Sequence, residues 1–206
     1  MEALQSAARD LFGSEGPPLD LAGSTDEGVV RNIHSHFEIE TTGEALEEFY
    51  SSYFTHLRRL MTPENPPGKV FAGVPQLLDT LARDKGFALG LLTGNIAEGG
   101  MHKVGVHSLG HHFPFGAWGG DHWDRNKLGP IALKRASRHH DYRFSPEETW
   151  IIGDTPKDIA CARACGARVM AVATGRFSEA DLRDADVVFS DLSDTKEVIR
   201  QFQTRG

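Results

Sequence analysis

Trp150-Ile151-Ile152 runs without a break into Gly153-Asp154-Thr155-Pro156-Lys157-Asp158, and from there into Ile159-Ala160-Cys161-Ala162-Arg163-Ala164-Cys165-Gly166-Ala167. The apolar run, bounded by a glycine, reads as a buried strand, and Thr-Pro with an acid three residues after the Thr reads as a helix start. Strand, tight turn and helix in that order place Asp154 and Asp158 where open α/β sheets hold their ligands. Carboxylate oxygens there suit a hard metal ion, and the exposed N–H groups of the helix start suit an anion.

The same grammar extends over the chain from Phe71 onward. Val74, Leu77, Leu78 and Leu81 fall at helical spacing within Val74 to Lys85, and Phe87 to Leu92 reads as a strand apolar on both faces that ends at Thr93-Gly94-Asn95. Phe113 to Gly120 reads as a further strand with its exit loop, and a helix is expected from Leu128 to His140. Ser145-Pro146-Glu147-Glu148 has the form of a capping box ahead of the Trp150 strand. Arg168 to Ala173 and Asp186 to Phe189 add two short strands, with a helix expected from Ser178 to Arg183 between them. Strands alternating with helices predict an α/β fold with a parallel, doubly wound, Rossmann-like sheet.

Residues 1–68 read differently. Val29-Val30-Ile33-Phe37 and Leu46-Phe49-Tyr50-Tyr53-Phe54-Leu57 recur at helical spacing and no strand-like run appears, so this part is expected to be a small α-helical subdomain. The Pro/Gly-rich stretch Met61 to Gly68 marks the return to an α/β core over residues 69–206.

Charge and composition narrow the function classes. A net charge of -7 and no run of Lys or Arg argue against a nucleic-acid or anionic-membrane surface, while leaving room for one small anionic ligand. No signal-peptide pattern and no apolar run long enough to span a bilayer is present, so a cytoplasmic protein is expected. Cys161 and Cys165 lie one helical turn apart and read as small apolar residues rather than a disulfide. The ten histidines, His102, His107, His111, His112 and His122 among them, show no zinc-ligand spacing and read as surface and loop residues. The lack of Gly-x-Gly-x-x-Gly after any strand disfavours a dinucleotide-binding domain.

Thr93 after one strand, Lys127 in Asp124-Arg125-Asn126-Lys127-Leu128-Gly129-Pro130, and Asp154 with Asp158 after another strand supply a hydroxyl, a cation and two carboxylates. That combination suits phosphoryl transfer, where catalysis is mostly positioning and neutralisation of charge by Mg²⁺, a lysine and short hydrogen-bond donors. Mg²⁺ takes one or two protein carboxylates, which fits Asp154; Asp158 reads either as a second metal-site residue or as the third helical position of a capping box.

On these residues the chain resembles the haloacid dehalogenase superfamily, and most closely its phosphoglycolate-phosphatase-like branch with a small helical cap. Leu91 to Asn95 is similar to the second motif of that superfamily, Lys127 to Pro130 to the third, and Gly153 to Ala167 to the fourth. Val172 to Gly175 is similar to the loop after its fifth strand, and Leu21 to Asp26 to a segment of the cap. The resemblance implies a Mg²⁺-dependent phosphatase of a small phosphomonoester such as phosphoglycolate, acting through an aspartyl-phosphate. It implies Thr93, Gly94, Asn95 and Lys127 at the phosphoryl group, with Thr93 and Lys127 catalytic. It further implies Asp154 on the metal, with Asp158 supporting it. Lys127 rather than Lys134 matches the third motif, because Pro130 follows it by three residues. Ser24 stands where related caps often carry a basic residue, which weakens the phosphoglycolate assignment.

The first motif of the superfamily, an apolar strand ending in Asp-x-Asp-x-Thr whose first Asp is the nucleophile, has no counterpart in the chain. Asp184-Ala185-Asp186 precedes a strand instead of ending one and reads as a solvated loop. The resemblance makes the missing strand the first and central one. Its loss would leave two rows of backbone groups without partners at about 1–3 kcal/mol for each buried group. A start placed downstream of the nucleophile strand is therefore expected, giving an inactive, poorly folding chain. The alternative is a non-catalytic relative that binds phosphate or metal.

Overall fold

In the computed structural model, which describes residues 1–64, 66 and 68–203, the first helix follows Met1 without a side-chain cap, and threonine caps start the next two. After α1 (Glu2–Phe12), the Thr25 hydroxyl accepts from the Gly28 N–H at 3.0 Å at the head of α2 (Asp26–His36). Thr42 does the same for Ala45 at 3.2 Å, starting α3 (Gly43–Leu60). Phe49, Tyr53 and Leu57, each four residues from the next, form the buried stripe of α3. They close a core with Leu4, Ala7, Val30 and Ile33. In the Pro/Gly-rich stretch Met61 to Gly68, Asn65 and Pro67 lie outside the described residues.

The chain continues through α4 (Val74–Arg83), β1 (Leu91–Leu92), α5 (Ala97–Val106), β2 (Gly116–Ala117) and α6 (Leu128–His140). It ends with β3 (Trp150–Gly153), α7 (Pro156–Cys165), β4 (Arg168–Val172), β5 (Val187–Phe189) and α8 (Thr195–Gln203). Two compact units result. One comprises residues 1–68, 93–110 and 118–125, and the other residues 69–92, 111–117 and 126–206.

Every strand pairing in the second unit is parallel. β3, β4 and β5 lie in that order, with Ile151 opposite Val169 and Ala171 opposite Val188, and β1 pairs with β2 through Leu91 opposite Gly116. β4 is buried on both faces, as a parallel strand between helix layers must be. Val169 and Ala171 pack with Ile159, Cys161 and Ala162 of α7, whereas Met170 and Val172 pack with Leu77 and Leu81 of α4 and Val198 of α8. Cys161 and Cys165 form no disulfide among the described residues, and Cys161 is wholly buried.

Three readings of the sequence need correction. Residues 178–183 form turns rather than a helix. The Asp181 carboxylate accepts from the Ser178 N–H at 2.9 Å and hydroxyl at 2.6 Å, which starts a turn, but Leu182 is the only large apolar side chain there to bury and the turn does not propagate. Of Phe87 to Leu92 only Leu91 and Leu92 join a ladder. Asp186 is no free loop carboxylate, for it accepts from the Val169 N–H at 2.7 Å and from Arg163 at 2.8 Å, tying the lead-in of β5 to β4.

β1 has β2 on one edge and β3 has β4 on one edge; among the described residues no strand pairs with the other edge of either. A cavity of about 880 Å³ is lined by Leu91 and Leu92 of β1 and by Trp150, Ile151 and Ile152 of β3. Ile152, midway along a strand of apolar residues, is 41% exposed.

Candidate active site

In the second unit, β3 delivers the chain to Gly153 and Asp154, and α7 starts two residues later. Thr155 and Asp158 cap that start reciprocally. The Asp158 carboxylate accepts from the Thr155 N–H at 3.0 Å and from its hydroxyl at 2.8 Å, and the hydroxyl in turn accepts from the Asp158 N–H at 3.3 Å. Asp158 is 4% exposed, so its carboxylate is built into the turn. Gly153 is required here, since a Cβ on it would stand 2.2 Å from Asp158 Cγ. Asp154 is half-buried, and a Cβ on Gly175, in the loop after β4, would stand 2.3 Å from Asp154 Oδ2. Two glycines thus make room for two carboxylates. Lys127 is exposed at the head of α6 and makes no hydrogen bond or ion pair among the described residues, so the structure does not tie it to either Asp.

In the first unit, Thr93 and Asn95 belong to a polar network that sequence reading did not assemble. The Thr93 hydroxyl oxygen accepts from the Asn95 backbone N–H at 3.2 Å and from Asn95 Nδ2 at 2.7 Å. Lys103 of α5 donates to Asn95 Oδ1 and, at 3.5 Å, to the Tyr53 hydroxyl. The Asp26 carboxylate, 8% exposed, accepts from the Ile96 N–H at 2.8 Å and from Tyr53. Burial pushes the Asp26 carboxyl above its ordinary range, with Lys103 pulling the other way, and burial lowers Lys103, which Asp26 opposes. Burial first, then the Asp26 charge, raises Tyr53. The Gly94 carbonyl accepts from the Asp26 N–H at 2.5 Å and holds the two segments together.

Residues 124–195 match the HAD-hydrolase-like family. The fold as a whole is similar to the β-phosphoglucomutase of Clostridium difficile, at a TM-score of 0.69 and 15% identity over 98% of this chain and 87% of that one. A hydrolase from Pseudomonas syringae gives a TM-score of 0.66 at 18% identity, covering 97% and 90% of the two chains. A predicted phosphoglycolate phosphatase from Haemophilus somnus gives 0.64 at 16%, covering 96% and 89%. The chain has the haloacid dehalogenase-like fold. No curated protein matches its sequence.

The β3 turn of this haloacid dehalogenase-like chain has a donor set that fits Mg²⁺. Asp154 presents carboxylate oxygen beside a side-chain-free backbone at Gly175, and no imidazole or thiolate stands in Gly153 to Ala160 to favour a softer ion. Asp158 caps the helix that follows Asp154. No sequence pattern linked the network residues Asp26, Tyr53 and Lys103, because they lie on three helices far apart in the chain and meet only through packing.

Proposed function

We propose that this haloacid dehalogenase-like chain is part of a Mg²⁺-dependent phosphoryl-transfer enzyme, a phosphatase of small phosphomonoesters of the phosphoglycolate kind, and that it does not turn over as it stands. The observation that carries this reading is Asp154 at the end of β3, next to a strand edge that faces an apolar cavity. An extended apolar strand lying parallel between β1 and β3 would pair with both open edges and deliver an attacking carboxylate to the edge where Asp154 stands. Solved neighbours named as a β-phosphoglucomutase and a predicted phosphoglycolate phosphatase support phosphoryl chemistry over other chemistries of the fold.

The roles follow from chemistry. Asp154 would hold Mg²⁺, which when bound offsets negative charge on phosphoryl oxygens. Asp158 keeps the turn in shape. Thr93 accepts two hydrogen bonds from Asn95, which leaves its own proton for a phosphoryl oxygen, and Gly94 and Asn95 hold that loop. Lys127 is the counter-charge. Residues 1–68 act as the helical cap that chooses the substrate.

A second reading, a non-catalytic metal- or phosphate-binding protein, is favoured by the same cavity, since none of the described strands carries a nucleophilic carboxylate between β1 and β3. One experiment separates the two. The purified chain is assayed with Mg²⁺ and p-nitrophenyl phosphate, beside a form extended upstream by an apolar strand ending in Asp-x-Asp-x-Thr. The expected result is no hydrolysis by the first, hydrolysis by the second, and loss of that hydrolysis in the extended form with Asp154→Asn. Hydrolysis by the unextended chain overturns the proposal of inactivity. An inert, folded extended form that still binds Mg²⁺ favours the binding protein.

A further inference from the structure

Away from the β3 turn, the second unit gathers a donor set that the phosphatase reading does not use. Asp79 on α4 and His111 and His112, in the short turn Gly110–His112 ahead of β2, present ligand atoms that all lie within 4.8 Å of one another. His112 Nε2 stands 3.5 Å from Asp79 Oδ1. That separation is long for a strong hydrogen bond, but close to the ~3.4 Å between two ligands that each sit ~2.1 Å from a tetrahedral ion. Successive residues of a tight 3₁₀ turn point about 120° apart, yet the His111 and His112 rings approach to 3.9 Å between centroids, so both are turned to one side. His112 is only 7% exposed, and its Nδ1 has no hydrogen-bond partner among the described residues. Asp79 and His111 are exposed, which leaves the cluster open to solution.

We propose that Asp79, His111 and His112 form a binding site for a transition-metal dication of the Zn²⁺ class, with the fourth position left to water. Two imidazoles and one carboxylate select such an ion over Mg²⁺, which prefers oxygen alone. Held there, the ion would cross-link α4 to the segment that leads into β2. The site has no sequence signature, because Asp79 is remote from the histidine pair and is brought to it by the packing of α4.

The test is calorimetric titration of Zn²⁺ into the metal-stripped chain in excess Mg²⁺, with thermal melts in parallel. The expected result is one Zn²⁺ per chain and a melting midpoint that rises with Zn²⁺. His111→Ala and Asp79→Asn alter exposed residues, so circular dichroism should show them folded; each should weaken binding by at least about tenfold. His139→Ala, at another adjacent histidine pair on α6, should leave binding unchanged. Absence of Zn²⁺ uptake, unaltered affinity in the folded His111→Ala and Asp79→Asn proteins, or loss of binding in His139→Ala overturns the proposal.

Discussion

Thr155 and Asp158 satisfy each other at the head of α7, the Thr hydroxyl donating to the carboxylate at 2.8 Å while accepting from the Asp158 N–H at 3.3 Å. Because the Asp154 turn hangs from this cap, its loss should register in stability. Thr155→Ala should cost about 1 kcal/mol, a fall of about 2–4 °C in Tm, and Thr155→Ser should restore most of it. Gly153→Ala should cost more, about 1–3 kcal/mol, because the new Cβ meets a carboxylate that the cap holds in place. Urea unfolding of the three variants measures this; equal stability of Thr155→Ala and the parent would refute the cap's role.

Gly175 and Asp154 give a metal-specific prediction. Gly175 is exposed, so Gly175→Ala should leave the melting midpoint nearly unchanged while its Cβ displaces Asp154 Oδ2. Mg²⁺ affinity, followed by calorimetry, should fall by about tenfold, as when the support of a ligand is altered. An unchanged affinity would remove Asp154 Oδ2 from the metal site.

Open strand edges should be visible in amide hydrogen exchange. Leu91 donates its N–H to Phe115 across the β1–β2 pair at 3.1 Å, so by strand alternation Leu92 directs its own toward the cavity side. Leu92 should exchange much faster than Val169, Met170 and Ala171 of β4, which lie between two neighbouring strands. Equal protection of Leu92 and β4 would show that the β1 edge is covered.

His34 should make stability depend on pH. It is 1% exposed, its Nδ1 is 3.2 Å from the Thr41 hydroxyl, and burial, then the Arg31 charge, lowers its pKa below the ordinary 6.5. The unfolded chain then takes up a proton at a higher pH than the folded one. Its contribution is fully present above pH 6.5 and is lost as the pH falls from there toward the lowered folded value. The melting midpoint should therefore drop on acidification below that point, and His34→Phe, placed between Phe12 and Phe49, should flatten the drop. Parallel pH curves for parent and variant would exclude His34 as a source.

What could be read ahead of the structure was local. The Trp150 strand, its Gly-Asp exit and the Thr-Pro-x-Asp helix start were legible, because strand burial and helix capping are decided within a dozen residues. The helix expected at Ser178 failed for the complementary reason. Its start signal is real, but one buried leucine cannot extend a turn that has nothing else to pack. Asp186 looked like a solvated acid until β4 supplied an N–H for it to accept.

The sequence by itself determined the order of the strands, the parallel pairing they imply, and the turn that carries Asp154 and Asp158, since periodicity and capping are short-range properties of the chain. Only the tertiary structure decided that Gly175 stands against Asp154. It alone revealed that Asp26, Tyr53, Lys103 and Asn95 share one network, and that Asp79 meets His111 and His112. Those contacts join residues distant along the chain, and no local pattern records which buried surfaces will meet. The same holds for the cavity beside β1 and β3: each strand could be read from its own residues, but its unpaired edge exists only once its neighbours are in place.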